Sequence, residues 1–183
     1  MRMGRKLSKI YTLNHNLFFI LVLGLVCAFL TCTAEETSLG EITSSSLSPL
    51  KVIDGDSLEI GTHRIRLMGI DAPEYIQQCK DKNKKIYPCG LNSKQYLEQL
   101  INNQPITCQI HKQDQYNRDL CTCYSKGKNL NREMILSGNA VVYLESPYQQ
   151  EQVIARTQKR GLWQGRFMQP RLFRRLKEQQ KLN

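Results

Sequence analysis

Residues 52–74, VIDGDSLEIGTHRIRLMGIDAPE, constrain the fold of this chain more than any other stretch. Two segments, at about 57–60 and 64–70, alternate apolar and polar residues, and a turn at 61–63 separates them. This alternation around a glycine-containing turn predicts a β-hairpin. Acids at the strand ends, with Arg66 inside an apolar run between them, predict a cation site that handles an anionic group. The acids are Asp54, Asp56, Asp71 and Glu74.

Arg66 and Asp71 can serve one site only if the second strand breaks between them. They are five positions apart, and residues at that spacing point to opposite faces of a regular strand. Gly69 permits a break, and Pro73 prevents the strand from continuing. Asp54 is expected to have a supporting role, such as capping the turn before the hairpin.

Residues 1–34 differ in composition from the rest of the chain. A basic head precedes a continuously apolar run at 17–30, and small residues then lead into an acidic pair. This order predicts a secretory signal peptide that is cut after Ala34. The alternative is an uncut membrane anchor, although the apolar run alone is shorter than the roughly 17 residues that span a bilayer. The rest of the chain is therefore predicted to be secreted or periplasmic, or anchored through residues 17–34 on the non-cytoplasmic side.

The remaining chain divides into a linker, one domain and a tail. Residues 35–49 are rich in serine and threonine, which predicts a flexible linker. Residues 169–183 form a basic tail with the composition of a surface helix. Between them, residues 50–168 alternate short strands with helical segments, including a helix predicted at 93–102. Short antiparallel strands with helices inserted between them predict an α+β domain built on a small barrel.

The charge of the chain favours an anionic partner. The formal net charge is +10. Residues 1–34 contain four basic residues and no acids. The rest of the chain therefore has 22 Lys and Arg against 16 Asp and Glu, a net charge of +6. A basic body that carries a cluster of acids suits a polyanion bound beside a metal ion. The alternative is that the excess charge lies in the C-terminal tail, and charge alone does not decide between them.

The cysteines agree with an oxidising compartment. Outside residues 1–34 the chain has Cys79, Cys89, Cys108, Cys121 and Cys123, and five cysteines outside the cytosol predict two disulfides and one free thiol. A zinc site is the alternative, but it requires paired C-x-x-C or histidine partners that the sequence lacks. One bridge between Cys79 and Cys89 would close a lysine-rich loop. Cys108 can meet either Cys121 or Cys123 across a predicted strand pair.

Three segments in order indicate a family: DGDS at 54–57, RLMGIDAPE at 66–74 and DQYNR at 114–118. Together they resemble the staphylococcal nuclease (thermonuclease) family over about residues 50–167. The resemblance implies an OB-like five-stranded antiparallel β-barrel with about three packed helices. It also implies Ca²⁺-dependent cleavage of DNA and/or RNA at the bond to the 5′ oxygen, which leaves 3′-phosphate ends.

The resemblance assigns a metal site and a base by position. Asp56 and Asp71 are implied to be the carboxylate ligands of Ca²⁺, with the backbone carbonyl of Ala72 beside them. Ca²⁺ is a hard cation that prefers oxygen ligands, and carboxylates supply both oxygen and charge. Glu74 is implied to orient or deprotonate the attacking water.

The same resemblance implies that Arg66 and Arg118 hold the phosphate. The phosphate gains negative charge on its equatorial oxygens as it becomes five-coordinate, and an arginine can donate two hydrogen bonds there while it stays charged. Losing such a donor typically costs on the order of 3 kcal/mol of barrier, about a hundredfold in rate.

The cysteines are similar to those of a secreted, cysteine-bearing branch of the family. On that basis we pair Cys79 with Cys89 and Cys108 with Cys123, which leaves Cys121 free.

Two other functions fit parts of the sequence. A catalytically silent OB module that binds nucleic acid or protein is expected to lose the acids or arginines, and all of them remain here. A membrane-anchored structural protein whose basic tail contacts anionic lipid leaves the acids and arginines unexplained. The working prediction is therefore an exported, monomeric nuclease that acts on DNA and/or RNA.

Overall fold

The computed structural model of this protein describes residues 38–182, so the predicted signal peptide or anchor at 1–34 lies outside the described residues. The strands are β1 Gly40–Thr43, β2 Leu50–Val52, β3 Ser57–Ile60, β4 His63–Leu67, β5 Ile70–Asp71, β6 Cys79–Lys80, β7 Ile86–Tyr87, β8 Ile106–Gln113, β9 Asp119–Ser125, β10 Lys128–Asn129 and β11 Val141–Val142. The helices are α1 Cys89–Ile101, α2 Leu130–Leu136, α3 Gln149–Thr157 and α4 Pro170–Leu182, with a 3₁₀ turn at Gly161–Gln164. Over 38–182, no helix is long and apolar enough to span a bilayer.

The central sheet has the strand order β1-β8-β9-β4-β3-β2, and β10 adds to β9. The predicted hairpin is β3 and β4, and both predicted strand positions are close to the observed bounds. The α+β, OB-like architecture is confirmed, but two of its details differ from the prediction. The sheet has seven strands rather than five, and β4 runs parallel to β9. Four helices are present in the described part of the chain instead of about three.

The predicted flexible linker at 35–49 is wrong for the part that forms β1. This strand pairs antiparallel with β8, with Gly40 opposite Ile110. Ile42 packs into the core at 9% exposure. After the strand, the Ser44 hydroxyl accepts a hydrogen bond from the Ile106 amide at 2.9 Å. The folded domain therefore begins at β1, before residue 50.

The main core lies between the sheet and helices α1 and α2. Each of its apolar side chains is almost completely buried, which stabilises the fold by roughly 1.5–3 kcal/mol per large aliphatic residue. Its largest members are Leu58, Ile60, Ile65, Leu67, Ile70, Leu97, Ile106, Leu130, Met134 and Ile135. The hairpin that carries the acids is thus anchored through alternate residues of both strands.

Both disulfides that the family resemblance implies are present. Cys79–Cys89 connects β6 to the start of α1, and Cys108–Cys123 links directly opposed positions of β8 and β9. Cys121 is free and buried.

Helix α1 begins at Cys89, four residues before the start predicted at Ser93. Ser93 is buried inside the helix and donates a hydrogen bond to the carbonyl of Asn139 at 2.7 Å. The earlier start brings Gly90 of α1 close to Glu74 in the loop after β5, and Ser93 lies close to Gly55 in the loop after β2.

Candidate active site

The second strand of the hairpin breaks where the sequence predicted. Strand β4 ends at Leu67, and Gly69 adopts φ 78° before the chain resumes at β5. This is the left-handed region, which glycine enters without steric cost. The break lets the Nη2 of Arg66 reach Oδ1 of Asp71 at 2.8 Å. Arg66 and Asp71 therefore meet at one site, which their spacing of five residues allows because the strand breaks between them.

Asp56, which precedes β3, joins the same network. Its Oδ1 accepts from Nη1 of Arg66 at 2.7 Å, and its Oδ2 accepts from the amide of Ala72 at 2.7 Å. The Ser57 hydroxyl also donates to Asp56 Oδ1 at 2.9 Å. One carboxylate thus connects the start of the hairpin to the loop after its end.

The network is buried and its charges are strongly coupled. The side-chain exposures are 3% for Asp56, 12% for Arg66 and 2% for Asp71. Burial and the neighbouring Asp56 raise the pKa of Asp71, and Arg174 and Arg66 offset this only in part. Burial alone would lower the pKa of the Arg66 guanidinium, but the two carboxylates outweigh it and raise that pKa. Removing either the arginine or the carboxylates would leave the opposite charge buried without its partner.

Asp54 has the supporting role expected from the sequence. Its Oδ1 accepts from the amide of Asp56 at 3.0 Å and closes the turn before β3. Burial raises the pKa of Asp54 to about 7, and the nearby charge of Asp56 adds to the effect. Buried acids crowded in this way favour the approach of a cation.

Glu74 lies on the loop after Pro73, in a turn that packs under helix α1. The Glu74 carbonyl accepts from the amide of Gln77 at 2.7 Å, and Oε1 of Gln77 accepts from the Glu74 amide at 3.3 Å. A Cβ on Gly90 would collide with the Glu74 carbonyl oxygen, so the helix can approach this loop only with glycine there. Gln77 and Gly90 have no local sequence signal for this role, because only tertiary packing gives it to them.

The structure adds one functional candidate that the sequence analysis missed, Arg174 on α4. Its Nη1 lies 2.8 Å from Oε1 of Glu74, and its Nη2 lies 2.9 Å from Oδ1 of Asp71. The segment predicted as a basic surface tail is a helix, but one of its arginines enters the acid cluster. Its basic composition did not distinguish Arg174 from the neighbouring Arg171 and Arg175.

Arg118 lies one strand away from this cluster. The register places Leu120 of β9 beside Arg66, and Arg118 lies two residues before Leu120, in the turn that leads into β9. Its side chain contacts its own turn, where Nε and Nη2 donate to Oδ2 of Asp114 at 2.8 Å and 2.7 Å. Partial burial would raise the pKa of Asp114, but hydrogen bonds from Arg118 and Tyr116 hold it below its ordinary value. The described contacts therefore do not join Arg118 to Arg66.

The carboxylate oxygens of the cluster suit Ca²⁺, although Arg66 and Arg174 contact them in this structure. The carboxylates of Asp56 and Asp71 offer the oxygen ligands that a hard cation prefers. Over residues 38–182, however, no three Asp, Glu, His or Cys side chains converge closely enough to hold a metal. Arg66 and Arg174 lie between the acids instead.

A mostly apolar cavity of about 400 Å³ opens beside Arg66. Leu120 and Tyr143 form part of its wall. The Tyr143 ring is flanked by two guanidiniums, with Arg66 Cζ 5.9 Å and Arg171 Cζ 6.0 Å from its centroid. A larger groove, between α1 and the β1–β2 loop, contains none of the site residues.

Comparison with known families identifies the chain. Residues 64–165 match the family model described as staphylococcal nuclease homologue. The chain belongs to the staphylococcal nuclease family. The match includes Arg66, Asp71, Glu74 and Arg118, whereas Arg174 lies beyond its end.

Curated relatives within this family carry different names. The succinoglycan biosynthesis protein ExoI of Rhizobium meliloti is 34% identical over 146 residues, covering 77% of this chain and 74% of that protein. An uncharacterized endonuclease of Escherichia coli O157:H7 is 34% identical over 125 residues, covering 62% and 74%. A probable endonuclease, lcl3, of Botryotinia fuckeliana is 28% identical over 130 residues, covering 63% and 48%.

Proposed function

We propose that this chain is an exported, Ca²⁺-dependent nuclease that hydrolyses phosphodiester bonds in DNA and/or RNA and leaves 3′-phosphate ends. The observation that supports this most directly is the buried network of Asp56, Arg66 and Asp71 with Glu74 at its edge. Membership of the staphylococcal nuclease family and relatives named as endonucleases support a nuclease in general.

The proposed metal site uses Asp56, Asp71 and the backbone carbonyl of Ala72. When bound there, Ca²⁺ would supply Lewis-acid polarisation of a phosphate oxygen. The chain's own part is to hold the oxygen donors on two loops that the Asp56–Ala72 hydrogen bond ties together at 2.7 Å. Binding a cation requires Arg66 to give up part of its contact with these carboxylates, which frees donors for the substrate.

The proposed roles of the remaining residues follow from their exposure and charge. Arg66 and Arg118 donate to the equatorial oxygens of the phosphate, where negative charge develops. Glu74 is 33% exposed, so its carboxylate can accept a proton from a solvent water as that water attacks phosphorus. The new bond joins the water oxygen to phosphorus, the bond to the 5′ oxygen breaks, and the leaving oxygen takes a proton from solvent.

The cavity beside Arg66 supports a nucleotide substrate. A cavity of about 400 Å³ has room for a sugar and base next to a phosphate held by Arg66. Tyr143 in its wall offers an aromatic face for stacking, and such stacking is tolerant of base identity. The proposed substrate is therefore DNA and/or RNA without strong sequence preference.

The two disulfides support a compartment outside the cytosol. The proposed location is secreted or periplasmic, or anchored through residues 17–34 with the domain on the non-cytoplasmic side. The proposed form is a monomer.

The test is to incubate the purified chain with single- and double-stranded DNA and with RNA, first with Ca²⁺ and then with chelator. We expect cleavage that stops with chelator, resumes with added Ca²⁺ and yields ends that a polymerase extends only after phosphatase treatment. Glu74→Gln is the matched inactive control. Equal degradation with and without Ca²⁺ would reject the metal dependence. Binding of DNA without any cleavage would favour the silent OB module.

A further inference from the structure

Helix α4 is attached to the site rather than to the core. From Pro170 to Lys181 only Pro170, at its start, is fully buried, so apolar packing beyond the first residue contributes little to holding it in place. Its inward contacts are made by Arg171, which faces the Tyr143 ring at 6.0 Å, and by Arg174, which contacts Asp71 and Glu74. Residues three apart share one face of a helix, so this face is directed at the proposed active site.

A buried glutamine fixes the start of α4 relative to the Glu74 loop. The side chain of Gln77 is fully buried. Its Oε1 accepts from the amide of Glu74 at 3.3 Å, and its Nε2 donates to the carbonyl of Met168 at 2.7 Å. The backbone of Arg166 also exchanges two hydrogen bonds with Lys80, both 2.8 Å long. The position of Arg174 therefore follows from the same contacts that form the Glu74 loop.

The guanidinium of Arg174 bridges two acids with different proposed tasks. Nη1 contacts Glu74 Oε1 at 2.8 Å, while Nη2 contacts Asp71 at 2.9 Å on Oδ1 and 3.0 Å on Oδ2. A planar fork that holds both carboxylates fixes the direction of each relative to the other, which a single ammonium group does less well. Glu74 is one-third exposed and is otherwise tethered through its backbone. Arg174 is thus the described side chain that orients the Glu74 carboxylate.

We propose that Arg174 is a positioning residue of the active site, and that it aims the Glu74 carboxylate at the attacking water. This inference rests on the proposed nuclease function. It makes α4 part of the catalytic domain, although the helix lies beyond the residues that match the family model. Small misplacements of a reacting group cost about a hundredfold in rate, so loss of Arg174 should lower kcat and leave KM nearly unchanged.

The test compares Arg174→Gln and Arg174→Lys with the matched control Arg175→Gln, in the full chain with saturating Ca²⁺. Arg175 is the exposed neighbour on the same helix and gives the same change of charge. We expect Arg174→Gln to lower kcat roughly 10- to 100-fold, with KM within about twofold. Arg174→Lys should recover part of the loss, because it keeps the charge and one of the two contacts. Arg175→Gln should match the natural chain.

Calorimetric titration of Ca²⁺ into each variant provides a readout independent of turnover. We expect Arg174→Gln to bind Ca²⁺ at least as tightly as the natural chain, since the variant removes a positive charge next to Asp71. Weaker Ca²⁺ binding would overturn the assignment to Glu74 and indicate a role in the metal site. Higher activity of Arg174→Gln than of the natural chain at limiting Ca²⁺ would also overturn the assignment, because it would mean that Arg174 competes with Ca²⁺ for the acids.

The two proposals fail in different ways. If the natural chain cleaves no nucleic acid, the nuclease function fails. If the natural chain cleaves and Arg174→Gln behaves like Arg175→Gln, only the positioning role of Arg174 is wrong. Should Arg174→Gln not fold, the partial loss expected for Arg174→Lys decides the question.

Discussion

Arg66 has two separate tasks in the same side chain. Without a bound substrate it neutralises Asp56 and Asp71, each of which has less than 4% of its side chain exposed. In the proposed reaction it also holds the phosphate. Without Arg66, Asp56 loses the cation that contacts it, whereas Asp71 keeps Arg174. A buried carboxylate that loses its cation suffers the full cost of burial. Arg66 should therefore affect stability as well as turnover.

Replacing each arginine separates these tasks. Arg66→Ala should lower the free energy of unfolding by about 3–5 kcal/mol, as expected when one partner of a buried pair is removed. Arg118→Ala should cost about 1 kcal/mol or less, because its pair with Asp114 is partly exposed. Both should lower turnover about a hundredfold. Urea unfolding without Ca²⁺ and initial rates with Ca²⁺ measure the two effects, and equal losses of stability would contradict the distinction.

Cys121 provides an independent check on burial in the centre of the sheet. Burial raises the pKa of its thiol to about 12, and the nearby Asp119 adds to the effect. Since only the thiolate reacts, iodoacetamide at pH 8 should leave Cys121 unmodified in the folded protein and alkylate it in denaturant. Peptide mapping by mass spectrometry measures this. Rapid alkylation of the native protein would show that the thiol is accessible or differently paired.

At the scale of elements, local chemistry explains which parts of the fold were predictable. The hairpin and its break were predicted because Gly69 and Pro73 act on the strand that contains them. Strand β1 was missed because one buried residue, Ile42, in a serine- and threonine-rich segment gives no local signal, and pairing with β8 supplies the rest. The role of Arg174 depends on where α4 lies after the chain has folded, which no short pattern encodes.

The first turn of α1 is expected to determine the position of Glu74. A Cβ at Gly90 would overlap the Glu74 carbonyl, which is backbone and cannot move aside alone. Gly90→Ala should therefore displace the loop, destabilise the protein by roughly 1–3 kcal/mol and lower kcat. Gln95→Ala, at an exposed position of the same helix, is the control. Thermal melts and rates measure both effects, and a Gly90→Ala variant with unchanged kcat would mean that the loop position does not matter.

At the scale of the whole molecule, the proposed site is assembled from segments far apart in the chain. Asp56 and Arg66 come from the hairpin, Glu74 from the loop beneath α1, and Arg174 from the last helix. The central sheet holds the first two rigidly through its core. The connection among the other segments is made by Gln77 and by the Cys79–Cys89 disulfide, which joins β6 to the helix that packs on the Glu74 loop.

The two disulfides should therefore differ in their effect on turnover although they close loops of similar length. Their sequence separations are 10 and 15 residues, so loop closure predicts that each contributes about 3 kcal/mol to stability. At temperatures well below the melting temperature, we expect replacement of both Cys79 and Cys89 by alanine to lower kcat. The reason is that the Glu74 loop loses a tether. The same replacement at 108 and 123, within the β8–β9 pair, should lower stability and leave kcat nearly unchanged. Melting curves and rates at 25 °C on both variants decide this, and equal loss of kcat would show that the first disulfide has no special link to the site.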